Sequence, residues 1–465
     1  MKVGSNGMGD ELWRLSAAAL RAGIERGELS AREAVASAIA RMEAVNPELN
    51  AVVVSCADEA MARAAALDEA QARGEPLGLL HGVPVTIKIN VDQKGYATSN
   101  GVAAFADVIA PDDAPVVANL QKAGAVVIGR TNTPEFSFRA DTDNPLHGRT
   151  HNPWGPHVSA GGSSGGAASA VMAGIGALAH GNDIGGSLRF PALACGASTV
   201  KPGLGRVPAF NPSQTAERGL LAQSMSVQGL IGRDADDVAL GMRALVAADV
   251  RDPWHVARPF EQPKPAGRMR VALCTEAYGP PLHPDVRTAL DTAAAALEDA
   301  GYAVEPAEAP MVGEIGHVGF RALMGETEAL LGETIRRYGS STINAIFAGY
   351  FEQFPPLRGT ELLAAMAKRS FYARAWNAFL ESYPLVLTPL LPAPYFAPDG
   401  DARGLEGVRE TLGTGVWSFA MNFMGLPAGV AAAHFNGSQP IGVQLVGRRF
   451  REDLILEACA AIEAR

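Results

Sequence analysis

Cysteine is scarce in this chain and never clustered. Cys56, Cys195, Cys274 and Cys459 stand apart, and no CxxC pair occurs. Neither a disulfide framework nor a zinc site is expected, and the reading is a reduced, cytoplasmic chain. Positive charge is also short: 39 Lys and Arg against 49 Asp and Glu give a net charge of −10. That excludes the basic face a nucleic-acid backbone would need. No long apolar run escapes polar breaks, so no membrane-spanning helix is expected. The opening MKVGSNGMGD lacks the apolar core of a secretion signal. No His/Cys/Asp cluster has metal-ligand spacing, so no metal or cofactor is expected. Internal repeats and low-complexity linkers are absent too.

What is present is core material. Hydrophobic residues make up 48% of the 465 positions and charged residues only 19%, enough for a large core and too little charge for disorder. The N-terminal part alternates in type. Residues 10–26 have helical periodicity, and Ser30 with Glu33 forms a capping box before a second helix running to about Val45. NAVVV (50–54) reads as a strand and 57–73 as an Ala-rich helix. GVPVTIKI (82–89) is a buried strand, whose Pro84 suggests an edge or a strand start. APVVANLQKAG (114–124) is a helix, followed by the strand AVVIG. Residues 167–180, rich in Ala and Gly, read as one central, buried helix of small residues. Strand, helix and strand then recur at 268–274, 284–300 and 302–306. Helices fill 311–380, strands fall at 383–390, 425–433 and 441–447, and a helix at 451–464 closes the chain. This alternation predicts an α/β layered fold. The Pro-rich segment 252–267 is the only candidate connector between lobes, and strands on both sides of it could still join one sheet, so one domain is expected.

GGSSGGAASAVMAGIGALAHGNDIGGSLRFP (161–191) holds two glycine-flanked serine turns, Ser163-Ser164 and Ser187. A serine hydroxyl is a weak nucleophile until a base takes its proton. GSSGG matches the nucleophile-elbow pattern centred on Ser164, but that pattern needs a strand just before it and a later Asp and His. The preceding NPWGPHVSA is loop-like, and His434, the best-placed late histidine, sits in a turn-like context. A phosphate-binding loop would need a Lys after Gly165-Gly166, and none follows. Gly/Ser stretches by themselves are usually turns. The weight shifts with Lys88, which closes an otherwise apolar strand. A lysine there either snorkels outward or is buried for a reason, and burial frees a neutral amine to act as a base. Lys88 as base, a serine of GGSSGG as relay and Ser187 as attacking group then fit together. The amides of Ile184, Gly185, Gly186 and Ser187 are candidates for an oxyanion hole.

Six segments carry a resemblance: GVPVTIK, GRTNTPEF, SAGGSSGGAASAV, GNDIGGSLRFPA, VKPGLGRVP and IGVQLVGRRFREDLIL. In that order they resemble the amidase-signature hydrolases over nearly the whole chain. The resemblance implies one domain with a large mixed, twisted sheet between layers of helices. It implies a Ser–cis-Ser–Lys triad made of Lys88 as base, Ser163 as relay and Ser187 as the acyl-accepting nucleophile. Asp183 and Arg189 match positions that support the oxyanion loop. Two positions depart from the family: Lys88-Ile89-Asn90 stands where Lys-Asp-Asn is common, and Asn182 stands where Thr is common.

The expectation is therefore an amidase, cleaving C–N bonds of linear amides through an acyl-enzyme without metal or cofactor. Phe347, Tyr350, Phe351 and Phe354 fall at helical spacing. With Phe136 they form a candidate pocket wall, though a core stripe fits the same pattern. Pro389, Pro392 and Pro394 suggest a rigid rim. A small-molecule substrate is expected, either an aryl amide or anilide, or, by a weaker resemblance to urethanases, a carbamate. No nucleic-acid or membrane partner is expected, and the chain should be a monomer or homodimer. The competing reading is the glutamine-hydrolysing component of a tRNA-dependent amidotransferase.

Overall fold

The computed structural model describes residues 9–264 and 267–464. Eleven strands form one mixed sheet: β1 (Val52–Ser55), β2 (Pro84–Lys88), β3 (Val126–Thr131), β4 (Leu178–Asp183), β5 (Ser198–Lys201), β6 (Val227–Gly232), β7 (Arg270–Leu273), β8 (Ala303–Pro306), β9 (Leu385–Thr388), β10 (Ala428–Phe435) and β11 (Pro440–Gly447). Their order is β1-β3-β2-β4-β6-β5-β10-β11-β9-β7-β8. Strands before and after the Pro-rich segment thus join one sheet. β2 runs parallel to both β3 and β4, while β4, β6, β5, β10, β11 and β9 pair antiparallel in turn.

Alternation along the strands divides the core between two faces. Leu385 and Leu387 of β9 join one apolar cluster, and Val386 between them joins the other. Val271 and Ala272 of β7 split in the same way. The first face is covered by helices that include Ala31–Leu49, Ala57–Ala72, Pro284–Asp299 and Glu452–Glu463. The other carries Val312–Tyr338, Ser341–Gln353, Gly359–Ser382 and Val416–Met424. This is the α/β/α sandwich expected.

Local rules account for most boundaries. Ser30 accepts from the Glu33 amide while the Glu33 carboxylate accepts from the Ser30 amide, so the capping box forms as expected. Residues 10–26 divide at Ser16, which caps a helix over Ala17–Glu25 after a single-turn element at Gly9–Arg14. Pro84 starts β2, which lies between β3 and β4 rather than at an edge. The small-residue helix is shorter than expected: it covers Gly165–Met172 and is buried almost throughout. Gly174 and Gly176 then adopt positive φ (85° and 77°) and end it, and 178–180 belong to β4. Without bulky side chains, the Ala/Gly pattern alone could not separate helix from turn and strand.

Candidate active site

Because β2, β3 and β4 are parallel, their C-terminal ends lie on one edge of the sheet, the edge where open α/β sheets usually bind ligands. Lys88 is the last residue of β2 and Asp183 the last of β4. Val85 and Ile87 point into one cluster, so Thr86 and Lys88 face the opposite side. The small-residue helix Gly165–Met172 lies over this part of the sheet. Only small side chains allow that approach: a Cβ on Gly166 would sit 2.5 Å from the Asn132 amide nitrogen.

Ser163 and Ser164 immediately precede this helix, and the Gly162–Ser163 peptide is cis. Lys88 is fully buried. Its Nζ lies 2.7 Å from Ser163 Oγ, 3.0 Å from Ser164 Oγ and 2.9 Å from Asn182 Oδ1. Burial drives its pKa well below the ordinary lysine value, and the charge of Asp183 opposes this only in part. Ser163 and Ser187 line the same cavity of about 530 Å³. Ser187 is half-buried, and its carbonyl accepts from the Ser164 amide at 3.2 Å. Ser164 itself is fully buried and does not line this cavity. No strand precedes it, so the elbow reading lacks its required context.

The loop after β4 is held by a buried ion pair. Asp183 accepts from Arg189 Nε and Nη2, both at 3.0 Å, and both side chains are shielded from solvent. Burial alone would raise the Asp183 carboxyl, but the Arg189 charge and its hydrogen bonds hold it down at about 2. Arg189 also donates to Gln444 at 2.8 Å and Asn422 at 2.5 Å, and Asn422 Nδ2 donates to Asp183 at 3.0 Å. Helix Val416–Met424 and β11 are thereby tied to the loop.

One of the four expected oxyanion amides is not available. Gly186 N–H donates to Asp183 Oδ1 at 2.8 Å and so is engaged within the loop. Ile184, Gly185 and Ser187 sit at the cavity, half-buried. Gly186 is glycine for a steric reason: at φ 128° a Cβ would lie 2.3 Å from the Phe190 ring.

The aromatic wall differs from expectation as well. Phe347, Tyr350 and Phe354 are core residues, and neither they nor Phe351 line the main cavity or the crevice beside Ser187. They back the wall instead, with Phe347 against Phe138 and Phe354 against Phe320 at centroid distances of 4.9 and 4.7 Å. Phe138 and Phe320 line an apolar crevice beside Ser187, with Phe190, Leu323 and Leu412. Phe136 lines the main cavity. Pro389, Pro392 and Pro394 do not line either space. Helical spacing marks a buried stripe but not which side meets a ligand, so the core reading prevails.

Sequence reasoning passed over a polar network around Lys88. Asn182 Nδ2 donates to Asn90 Oδ1 at 2.9 Å, and Asn90 Nδ2 donates to Ser137 Oγ at 2.9 Å. Ser137 Oγ donates to Asn100 at 2.6 Å, and Thr133 Oγ1 donates to the Ser163 carbonyl at 2.9 Å. Phe136 and Ser137 both adopt left-handed backbone (φ 55° and 59°), a conformation uncommon for non-glycine residues. The available signal was the pair of departures: Asn182 is itself a member of this network, and Ile89 stands between two others, Lys88 and Asn90.

An amidase family model matches residues 33–456, and the chain belongs to that family, the amidase-signature hydrolases. It is 47% identical over 455 residues to an indoleacetamide hydrolase of Bradyrhizobium diazoefficiens, covering 98% of this chain and 87% of that one. It is 32% identical over 489 residues to a glutamyl-tRNA(Gln) amidotransferase component from Moorella thermoacetica, covering 97% of each. The crystal structure of a bacterial aryl acylamidase of the same family superposes with a TM-score of 0.83 at 27% identity, over 97% of this chain and 96% of that chain. The protein is an amide hydrolase. Among the described residues no helix is long and apolar enough to cross a membrane.

Proposed function

We propose that the protein hydrolyses small neutral aryl amides, arylacetamides such as indoleacetamide foremost, through an acyl-enzyme on Ser187. In this reading neutral Lys88 takes a proton from Ser163, Ser163 takes one from Ser187, and the Ser187 oxygen attacks the carbonyl. The amides of Ile184, Gly185 and Ser187 are the candidate donors to the oxyanion. The same relay in reverse protonates the departing nitrogen, which an amine leaving group requires. The observation that carries the reading is a dehydrated lysine 2.7 Å from Ser163 Oγ, with Ser163 and Ser187 facing one cavity.

Three features favour the substrate class. An indoleacetamide hydrolase is 47% identical. Phe136, Phe138 and Ile184 line the cavity of about 530 Å³ together with Ser187. The charged residues lining the main cavity balance in sign, Glu217 and Asp252 against Arg218 and Arg251, so the cavity has no net charge to select a substrate that carries one. We expect kcat/KM to fall in the order indoleacetamide or a nitroacetanilide, then an O-alkyl N-aryl carbamate, then glutamine. A preference for glutamine over both aryl amides would overturn the reading in favour of an amidotransferase component.

The pH dependence follows from Lys88. The base acts only when neutral, and burial lowers its folded pKa. Activity therefore rises as pH climbs through that value and levels off at neutral to mildly alkaline pH. A rate falling steadily from about pH 6 to about pH 9 on a stable enzyme contradicts a lysine base.

A further inference from the structure

We infer that Asn182 and Ser164 are positioning residues that fix the direction of the Lys88 lone pair, so that of its three neighbours only Ser163 can hand it a proton. The inference rests on the reading of Lys88 as base. It comes from counting hydrogens at Nζ, which has three oxygen neighbours within 3.0 Å: Ser163 Oγ, Ser164 Oγ and Asn182 Oδ1. An ammonium can donate to all three. A neutral amine has two hydrogens and one lone pair, so one neighbour must turn from acceptor to donor. Which neighbour turns decides where the lone pair points.

Asn182 Oδ1 is a carbonyl oxygen and cannot donate, so it always claims one N–H. Its orientation is fixed by the next link, since Asn182 Nδ2 donates to Asn90 Oδ1 at 2.9 Å. Asn90 is fixed in turn by its Nδ2 donating to Ser137 Oγ at 2.9 Å. Ser164 has a hydroxyl hydrogen, and the Asn182 main-chain carbonyl oxygen, 3.4 Å away, is the acceptor available to it. Ser164 Oγ therefore accepts from Lys88 and claims the second N–H. The lone pair is left to Ser163, whose hydroxyl has no other hydrogen-bond partner among the described residues and which lies in the cavity with Ser187. The network selects one proton path where three oxygens compete.

The test compares Asn182→Ala, Asn182→Thr, Asn182→Asp and Ser164→Ala with the parent enzyme, reading kcat and KM separately across pH. Lys88 is acted on by Asp183, and its charge reaches His180 of β4, which is level with Ile87 and lies on the other face of the sheet. Burial holds His180 neutral, pushed down to about 3, and Lys88 and Arg130 of β3 lower it further. Lys201 of β5, which burial lowers to about 7 and whose charge acts on Asp183, titrates in the same range in every variant, so the acid limb is read as the difference between each variant and the parent. Asn182→Ala and Ser164→Ala should each lower kcat about 10- to 100-fold with KM changed less than about twofold, since orientation and not binding is lost. Asn182→Thr, which restores an acceptor oxygen, should recover much of that loss. Asn182→Asp should move the acid limb of kcat/KM up by about one pH unit or more, because a carboxylate beside the amine favours its charged form.

Parent-like kcat in both alanine variants, or an unmoved acid limb in Asn182→Asp, overturns the inference. Equal losses in Asn182→Ala and Asn182→Thr with a rise in KM also overturn it, as they indicate structural damage. Lys88→Ala, measured alongside, separates the levels: if it stays active, the reading of Lys88 as base fails; if it is dead while the Asn182 and Ser164 variants are parent-like, only the positioning role fails.

Discussion

Ser187→Ala is expected to lower kcat about 10⁵-fold while leaving the fold intact, because the residue is half-buried at the cavity and its removal unpairs no buried group. Lys88→Ala and Ser163→Ala should fall to nearly the same floor. In the proposed relay the three would act as one unit, and once any member is lost the others would have nothing to relay, so double and triple variants should lose little more than the singles. The residual rate would come from the loop amides and from substrate positioning. Additive losses in the double variants, measured as kcat on one aryl amide, would contradict a single proton path.

The second large effect is on stability. Arg189→Met should destabilise the protein by about 3–5 kcal/mol, the usual result of removing one partner of a buried ion pair. Asp183 would be left charged, enclosed and short of its strongest donor. The same change unties Asn422 and Gln444 from the loop, so activity should fall as well. The pair also sets an acid limit. The folded pKa of Asp183, about 2, lies below its ordinary value. Its contribution is therefore full above about pH 4 and is lost as pH falls from there toward 2. A urea midpoint for Arg189→Met within error of the parent would contradict this account of the loop.

Elements with strong local signals were legible in the sequence. The capping box at Ser30, the Pro-initiated helix at Pro284 and the Val/Leu-rich strands near 270, 385 and 441 fall where periodicity and punctuation place them. The helix expected through residue 180 failed because Ala and Gly carry no face, so nothing in the pattern marks where helix yields to β4. The joint presence of Lys88, the paired serines and Ser187 was visible because each sits in a distinctive glycine or apolar context. Gly186 was misjudged because a short loop does not reveal that an Asp three residues back will take its amide. The Phe347 stripe was misplaced because helical spacing shows a buried face without saying what it is buried against. Asn90 and Ser137 were passed over because their roles depend on contacts between distant segments, with Asn90, in the turn after β2, meeting Asn182 of β4.

The most direct test of the central claim is to inactivate the enzyme with a fluorophosphonate and map the labelled peptide by mass spectrometry. The account predicts one adduct, on Ser187, whose formation slows strongly in Lys88→Ala and Ser163→Ala. An adduct on Ser164 that spares Ser187 would contradict it.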